Sequence, residues 1–252
     1  MPEPDDSSVA LATRVGASAR VCEVVSSTSL TPNLREVVLG GEAVELGGVP
    51  GQDVMVRLAT ASGRWTRRRF SVRRVDPDAR TLTLWVTVDH EGPGVSWAEG
   101  AQPGDPVDVV GPRGKIPLAN APNHLFCGDA SSLAATWRLA ESVTGGSVTI
   151  AVEVDDVADV TVAPLAEGVA PRLVMVERRD RGYDDPTGLM RALADIDVDA
   201  ATTHAYLFGE FHVANALRVA VLDLGVEESA VSLKAYWRAG RGNADNGEPE
   251  RD

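Results

Sequence analysis

At 252 residues the chain is long for one core and sufficient for two, so two domains of about 110 to 130 residues are expected. Its formal charge of -13 and pI near 4.7 exclude a nucleic-acid protein whose affinity rests on neutralising phosphates. No run approaches the roughly eighteen apolar residues of a membrane span, and the acidic start Met1-Pro2-Glu3-Pro4-Asp5-Asp6 has no apolar signal core, so a cytoplasmic protein without membrane insertion is expected.

Residues 1–18 are polar, rich in small side chains and without a usable period, and are expected to be a mobile arm. From Ala19 the pattern changes. Residues 19–25 read as a strand, and after the turn Thr31-Pro32-Asn33 residues 34–39 read as a second, stopped by Gly40-Gly41. Valine-rich runs at 53–59 and 69–74 flank the turn residues Ser62-Gly63. Residues 81–88 alternate threonine with apolar side chains, and Val107-Asp108-Val109-Val110 precedes Gly111-Pro112-Arg113-Gly114. Six short strands with one brief helix among them predict a closed antiparallel barrel.

After Pro122 the grammar changes. His124-Leu125-Phe126-Cys127 reads as an apolar strand ending at Gly128-Asp129, and residues 131–143 carry apolar side chains at helical spacing. Strand-like runs follow at 148–154, 172–177 and 204–208, with helical stretches at 187–194 and 213–224. Strands alternating with helices predict a parallel sheet covered on its faces. Pro117 and Pro122 bracket a short linker, so the domains read as 19–118 and 119–240, with 241–252 a loose tail.

Two stretches carry chemistry. Arg67-Arg68-Arg69-Phe70-Ser71-Val72-Arg73 places an aromatic ring and a hydroxyl among fixed positive charges in an otherwise acidic protein. Some twenty residues later, Gly92-Pro93-Gly94-Val95-Ser96-Trp97 is a glycine-rich turn leading into a short helix, whose first N–H groups suit a phosphate. Together they point to a site for a planar cofactor carrying phosphates. Arg68 and Phe70, two residues apart on a strand, share a face. The guanidinium suits a pair of pyrophosphate oxygens, and the ring offers a packing surface. The alternative is a strand with solvated arginines and a core phenylalanine. His90, at a strand end, either reaches the same ligand or is an ordinary surface histidine, and Trp97 reads as a packing residue. Cys22 and Cys127 form no metal-ligand pattern and are expected in the core. With four histidines, no metal centre is expected.

The chain presents, in order, Ser29-Leu30-Thr31-Pro32-Asn33-Leu34, Arg68-Arg69-Phe70-Ser71-Val72-Arg73, His90-Glu91-Gly92-Pro93-Gly94-Val95-Ser96-Trp97-Ala98, Pro103-Gly104-Asp105 and Gly111-Pro112-Arg113-Gly114. Gly128-Asp129, Phe208-Gly209-Glu210 and Tyr236-Trp237-Arg238-Ala239-Gly240 follow. With these motifs it resembles, from about residue 19 to 240, the siderophore-interacting protein family of FAD-dependent ferric-siderophore reductases. The resemblance implies an α+β two-domain protein, with FAD on an N-terminal antiparallel β-barrel and a nicotinamide nucleotide, NADPH or NADH, on a C-terminal α/β domain with a parallel sheet. It implies FAD contacts from Arg68, Phe70, Ser71, Val72, His90, Gly92, Gly94, Val95 and Ser96, with Ser71 offering a hydroxyl and an N–H to the flavin's redox-active nitrogen. Phe70 stands where the family usually has tyrosine, and Ser71 where it usually has threonine.

For the nucleotide the resemblance implies Gly128, Asp129, Ser131, Gly209 and Glu210. The family usually continues its Gly-Asp with an acidic residue, a threonine and Ala-Leu-Pro; here Ala130 replaces the acid and Ala134 the proline. The electron donor therefore stays open among NADPH, NADH and reduced ferredoxin. A ferric siderophore as partner implies basic residues that receive an anionic chelate, and by position these are Arg57, Arg113, Lys234 and Arg238. No side chain is expected to act as a catalytic acid or base, because the cofactor carries the chemistry. Two other readings are a ferric-chelate-binding module without turnover and a flavin reductase supplying a biosynthetic enzyme.

Overall fold

Along β3 (Asp53–Ala59) Val54, Val56 and Leu58 are buried while Met55 and Arg57 between them are only partly so. A strand whose apolar residues recur at every second position buries one face. The other strands of this unit, β1 (Ser18–Ser29), β2 (Leu34–Gly41), β4 (Trp65–Asp76), β5 (Thr81–Thr87) and β6 (Pro106–Arg113), are buried less regularly, and in β5 the five consecutive residues 82–86 are all buried. These six strands close into a barrel in the computed structural model, which describes residues 3–60, 62–114, 116–161, 165–166 and 170–241. The order is β1-β2-β5-β4-β3-β6, and each pairing is antiparallel. Val24, Val37, Leu39, Val54, Val56, Leu82 and Leu84 fill the interior. Each such side chain contributes about 1.5–3 kcal/mol when fully buried.

Among the described residues of the stretch expected as a mobile arm, 3–18, most form a helix. Helix α1 (Asp6–Val15) begins at Asp5, whose carboxylate accepts from Ser7 N at 3.0 Å, and ends at Gly16. It buries Ser8, Leu11 and Ala12, and the last two pack with Val110, Val15, Ala17, Ala19 and Met55 on the outside of the barrel. Positions 8, 11, 12 and 15 are helically spaced. Ser8 and Ala12 are too small to register as an apolar stripe, so composition alone missed the helix. A second helix, α2 (Pro93–Gly100), follows β5 and packs on the barrel core through Trp97 and Ala98.

Contacts divide the chain into two units, Met1–Pro117 and Leu118–Asp252. In the second, β7 (Asn123–Asp129), β8 (Ser147–Val154), β9 (Arg172–Glu177), β10 (Thr203–Glu210) and β11 (Val231–Trp237) form a parallel sheet in the order β11-β10-β7-β8-β9. The helices are α3 (Leu133–Ala140), α4 (Ala158–Thr161), α5 (Thr187–Ala194) and α6 (Phe211–Asp223). Leu189 and Leu193 of α5 and Val213, Leu217 and Val221 of α6 pack on a sheet face made by Leu125, Cys127, Ala151, Ala205 and Leu207.

The segment expected as one helix over 131–143 opens with a 3-10 turn at Ala130–Ser132 and stops at Ala140. β11 was not expected as a strand. Its alternation of Val231, Leu233, Ala235 and Trp237 with Ser232, Lys234 and Tyr236 has the required period, but only Ala235 is fully buried, so its hydrophobic signal is weak. Apart from Arg241, the expected tail lies outside the described residues. No helix among the described residues is long and apolar enough to cross a membrane.

Cys22 and Cys127 are both buried free thiols, and burial pushes both up to about 12. Neither should react with an aromatic disulfide reagent near neutral pH in the folded protein, and both should react in guanidinium. Rapid modification of either thiol under native conditions would contradict their placement.

Candidate functional site

β4 is twelve residues long and its run of arginines is divided by the strand period. Arg68 and Phe70 point to the face that continues into the core at Val72, whereas Arg67 and Arg69 take the other face. Register places Arg68 beside Val56 and Phe70 beside Val54, both core residues of β3. Arg68 and Phe70 are half-buried at that edge of the barrel core. Arg68 Nη1 donates to Thr66 Oγ1 and to Arg67 O, each at 2.9 Å, so its guanidinium is held in place. Partial burial draws its pKa below the ordinary arginine value, and it remains a cation.

Helix α2 meets this face. A Cβ at Gly94 would stand 3.4 Å from Phe70 Cζ and 3.7 Å from Arg68 Cγ, so the glycine keeps the space beside the ring and the guanidinium stem clear. Trp97 lies with its ring centroid 5.4 Å from that of Phe70, tilted by 38°, and props the phenyl ring from the helix side. Gly92 starts α2 with no side-chain cap, and Pro93 brings no N–H, so no side chain covers the N–H groups of Gly94 and Val95. Val95 anchors the helix through its buried side chain, and Ser96 is exposed. Ring face, guanidinium and helix start together complement a planar ring joined to a pyrophosphate.

Other expected residues of this unit sit differently. Ser71 follows Phe70 on the opposite strand face, opposite Asp53 of β3. Val72 lies in the barrel core, and its N–H is taken by Gln52 O at 3.2 Å, so it packs inside the barrel behind Arg68 and Phe70. The His90 ring is exposed and bonded through Nδ1 to Asp89 at 2.8 Å. Arg57 lies on the outer face of the barrel: its guanidinium pairs with Asp5 at 3.3 Å and Asp108 at 3.9 Å and stacks 3.7 Å over the Trp65 ring. Arg113 reaches the same outer face and contacts Met55 Sδ. Alternation thus separates Arg57 and Arg113 from the Arg68 and Phe70 face.

In the second unit the chemistry gathers at the C-terminal ends of the parallel strands, where ligands of such sheets enter. Asp129 ends β7, is buried, and accepts four hydrogen bonds. One oxygen takes Ser131 N at 2.9 Å and Ser131 Oγ; the other takes Glu210 N at 2.8 Å and Trp237 Nε1 at 3.1 Å. Gly209 makes this possible: a Cβ there would stand 2.4 Å from Asp129 Oδ2, and its φ of 112° suits only glycine. Glu210 is fully buried and caps α6. Its Oε2 accepts from His212 N and from Val213 N at 3.0 Å, and its Oε1 from Ala239 N at 3.1 Å. Both carboxylates are therefore engaged inside the fold. Burial raises Asp129 above its ordinary 3.8, opposed by the bonds from Ser131, Glu210 N and Trp237 and by the Arg178 charge.

The sequence reading missed the neighbours of this network. Glu153, at the end of β8, pairs with Arg178 at 2.9 Å and Arg181 at 2.6 Å, and Arg178 also pairs with Asp155 at 2.9 Å. Arg178 stacks 4.2 Å over Tyr183, which meets Trp237 edge-on at 5.5 Å. No local motif marks these residues. An acidic side chain at a strand end with paired arginines beyond the next strand is the only signal available. Of the expected basic residues, Lys234 lies 5.6 Å over the Tyr236 ring and Arg238 lies 4.8 Å over Phe211.

Comparison with known proteins bears on both units. Residues 59–116 match the siderophore-interacting FAD-binding domain, and residues 121–240 match the siderophore-interacting protein model. An uncharacterised protein from Mycobacterium tuberculosis is 30% identical over 274 residues, covering 90% of this chain and 92% of that protein. The crystal structure of a siderophore utilization protein from T. fusca superposes with a TM-score of 0.81 at 26% identity, covering 91% of this chain and 96% of that one. Ferredoxin-NADP+ reductase from Plasmodium falciparum shares the fold, with a TM-score of 0.70 at 11% identity over 86% of this chain and 96% of that one.

Two outcomes test the second unit. Gly209→Ala should cost about 2–4 kcal/mol, through the clash with Asp129 and the backbone strain; a urea midpoint equal to wild type would contradict the packing. Because Asp129 is raised in the fold, its contribution to stability is fully present below 3.8 and is lost as pH rises through its folded value. Asp129→Asn has no such proton, so the stability gap between wild type and variant should narrow as pH rises from the acid side; a widening gap in urea titrations would contradict it.

Proposed function

The chain belongs to the siderophore-interacting protein family, and from that premise we propose that it is an FAD-dependent reductase of ferric siderophores, acting in the cytoplasm with electrons from NADPH, NADH or reduced ferredoxin. One observation carries this reading. Arg68 and Phe70 share a strand face with Gly94 and the uncapped start of α2 packed beside them.

On this reading Phe70 packs on the isoalloxazine and holds it at the barrel edge, where Trp97 excludes water from the far side of the phenyl ring. Arg68 neutralises the pyrophosphate from a guanidinium already fixed by Thr66 and the Arg67 carbonyl, which reduces the entropy lost on binding. The N–H groups of Gly94 and Val95 bind phosphate oxygens, and Ser71, whose side chain points to the opposite strand face, offers its backbone N–H at the ring's edge. When bound, FAD supplies two-electron reduction by the donor and one-electron delivery to Fe(III). Iron then leaves because a siderophore holds Fe(II) far less tightly than Fe(III).

In the second unit Lys234 and Arg238 would receive the anionic chelate, their charges standing out in a protein of charge -13. Arg57, already met by Asp5 and Asp108, and Arg113, in contact with Met55, lie on the outer face of the barrel, and that placement does not favour them for the same role. A second reading, a chelate-binding module without turnover, is favoured by the engagement of Asp129 and Glu210 inside the fold. The visible spectrum of the purified protein and stopped-flow reduction by each donor separate the two.

Arg68→Ala should weaken FAD binding by at least about tenfold, measured by flavin-fluorescence titration, with little change in the urea midpoint. Unchanged FAD affinity would refute the role given to Arg68.

A further inference from the structure

The two carboxylates that the motifs assign to the nucleotide hold something else: the turn that follows β11. Asp129 fastens the last residue of the strand, through Trp237 Nε1 at 3.1 Å, and Glu210 fastens the second residue of the turn, through Ala239 N at 3.1 Å. Arg241 N closes back on Arg238 O at 3.1 Å. Arg238 lies between the two anchors. Its guanidinium carbon rests 4.8 Å over the ring of Phe211, the first residue of the helix that Glu210 caps. One carboxylate therefore sets both the turn carrying Arg238 and the ring on which Arg238 lies. The second carboxylate ties the neighbouring indole to the end of β7.

We propose that Asp129 and Glu210 are positioning residues: they lock Trp237 and Ala239 so that the Arg238 guanidinium is held on Phe211 and presented to an oxyanion ligand. The inference rests on the reductase reading, in which Arg238 meets an anion. The same chemistry belongs to two sources, a phosphate of a nicotinamide nucleotide and the charged oxygens of a ferric chelate. An arginine held in one rotamer before the ligand arrives loses less entropy on binding, so releasing the turn should weaken binding even though Arg238 is still present.

Two variants release the turn while preserving most packing. Trp237→Phe removes the indole N–H and keeps a ring against Tyr183. Glu210→Gln has one carbonyl oxygen for the two α6 N–H groups and turns an amide NH2 toward Ala239 N. Isothermal titration of the full, FAD-loaded chain with NADP+ and with ferric citrate should show Trp237→Phe, Glu210→Gln and Arg238→Ala each weakening the same anion by about tenfold. The double variant Trp237→Phe/Arg238→Ala should be no weaker than Arg238→Ala alone. The titrant affected identifies the source. In steady-state assays the Trp237→Phe change should fall in KM rather than kcat.

Wild-type affinity in both turn variants would overturn the proposal. So would losses that add to that of Arg238→Ala, because a merely structural role does not depend on Arg238. Arg238→Ala with unchanged affinity for both titrants would overturn it as well. A protein that binds these anions as expected but shows no turnover would instead refute the reductase reading and leave the positioning result standing.

Discussion

The period of two along β4 is the constraint on which the first unit depends. It divides a run of consecutive arginines between two faces, sending Arg68 with Phe70 toward the barrel edge and Arg67 outward. The outward face then serves a different purpose. Arg67 donates to Ser7 Oγ at 2.7 Å and Arg57, its cross-strand partner, pairs with Asp5, so two like charges placed opposite one another are met by the first turn of α1. The helix that seals the outer apolar surface at Leu11 and Ala12 also supplies the acid these arginines need. One stretch of sequence thereby supplies the proposed ligand shelf on one side and a docking point for helix α1 on the other.

The second unit rests on a different economy of charge. Asp129, Glu153 and Glu210 are all buried, and each is matched by hydrogen bonds or arginines drawn from neighbouring strand ends. A buried carboxylate is tolerated only when its acceptor sites are filled, and removing one partner of such a set is costly. The network therefore fixes the ends of β7, β8, β10 and β11 relative to one another. The loop after Gly128 lacks the acidic residue and proline usual to the family, yet Ser131 N and Oγ still close on Asp129. What that loop retains is the ability to organise the strand ends.

Much of this was legible in the sequence. The runs at 53–59, 172–177 and 187–194 coincide with β3, β9 and α5: in β3 and α5 alternation or helical spacing coincides with deep burial on one side, whereas β9 is an edge strand whose apolar run marks it although Leu173 and Met175 stay exposed. The pairing of Phe70 with Arg68 followed from strand period alone. Elements stabilised by weak or distant contacts were not legible. α1 depends on a barrel surface a hundred residues away in sequence, and β11 buries little of its own side chains. Nor does local pattern say that Asp129 meets Trp237 across 108 positions, or that Glu210 spends its carboxylate on Ala239. A motif names the residue type; only the fold says which partner takes it. Arg57 illustrates the same limit, since its charge was visible and its pairing with Asp5 was not.

The central claim is that this chain holds a flavin that passes electrons to a chelated ferric ion. The most direct test is an anaerobic mixing experiment in which the FAD-loaded protein is first reduced, then challenged with a ferric siderophore in the presence of an Fe(II)-specific chromogenic chelator. The account predicts recovery of the oxidised flavin spectrum together with two Fe(II) captured per flavin, as a two-electron donor requires. A flavin that stays reduced, or a purified protein that takes up no FAD at all, would contradict it.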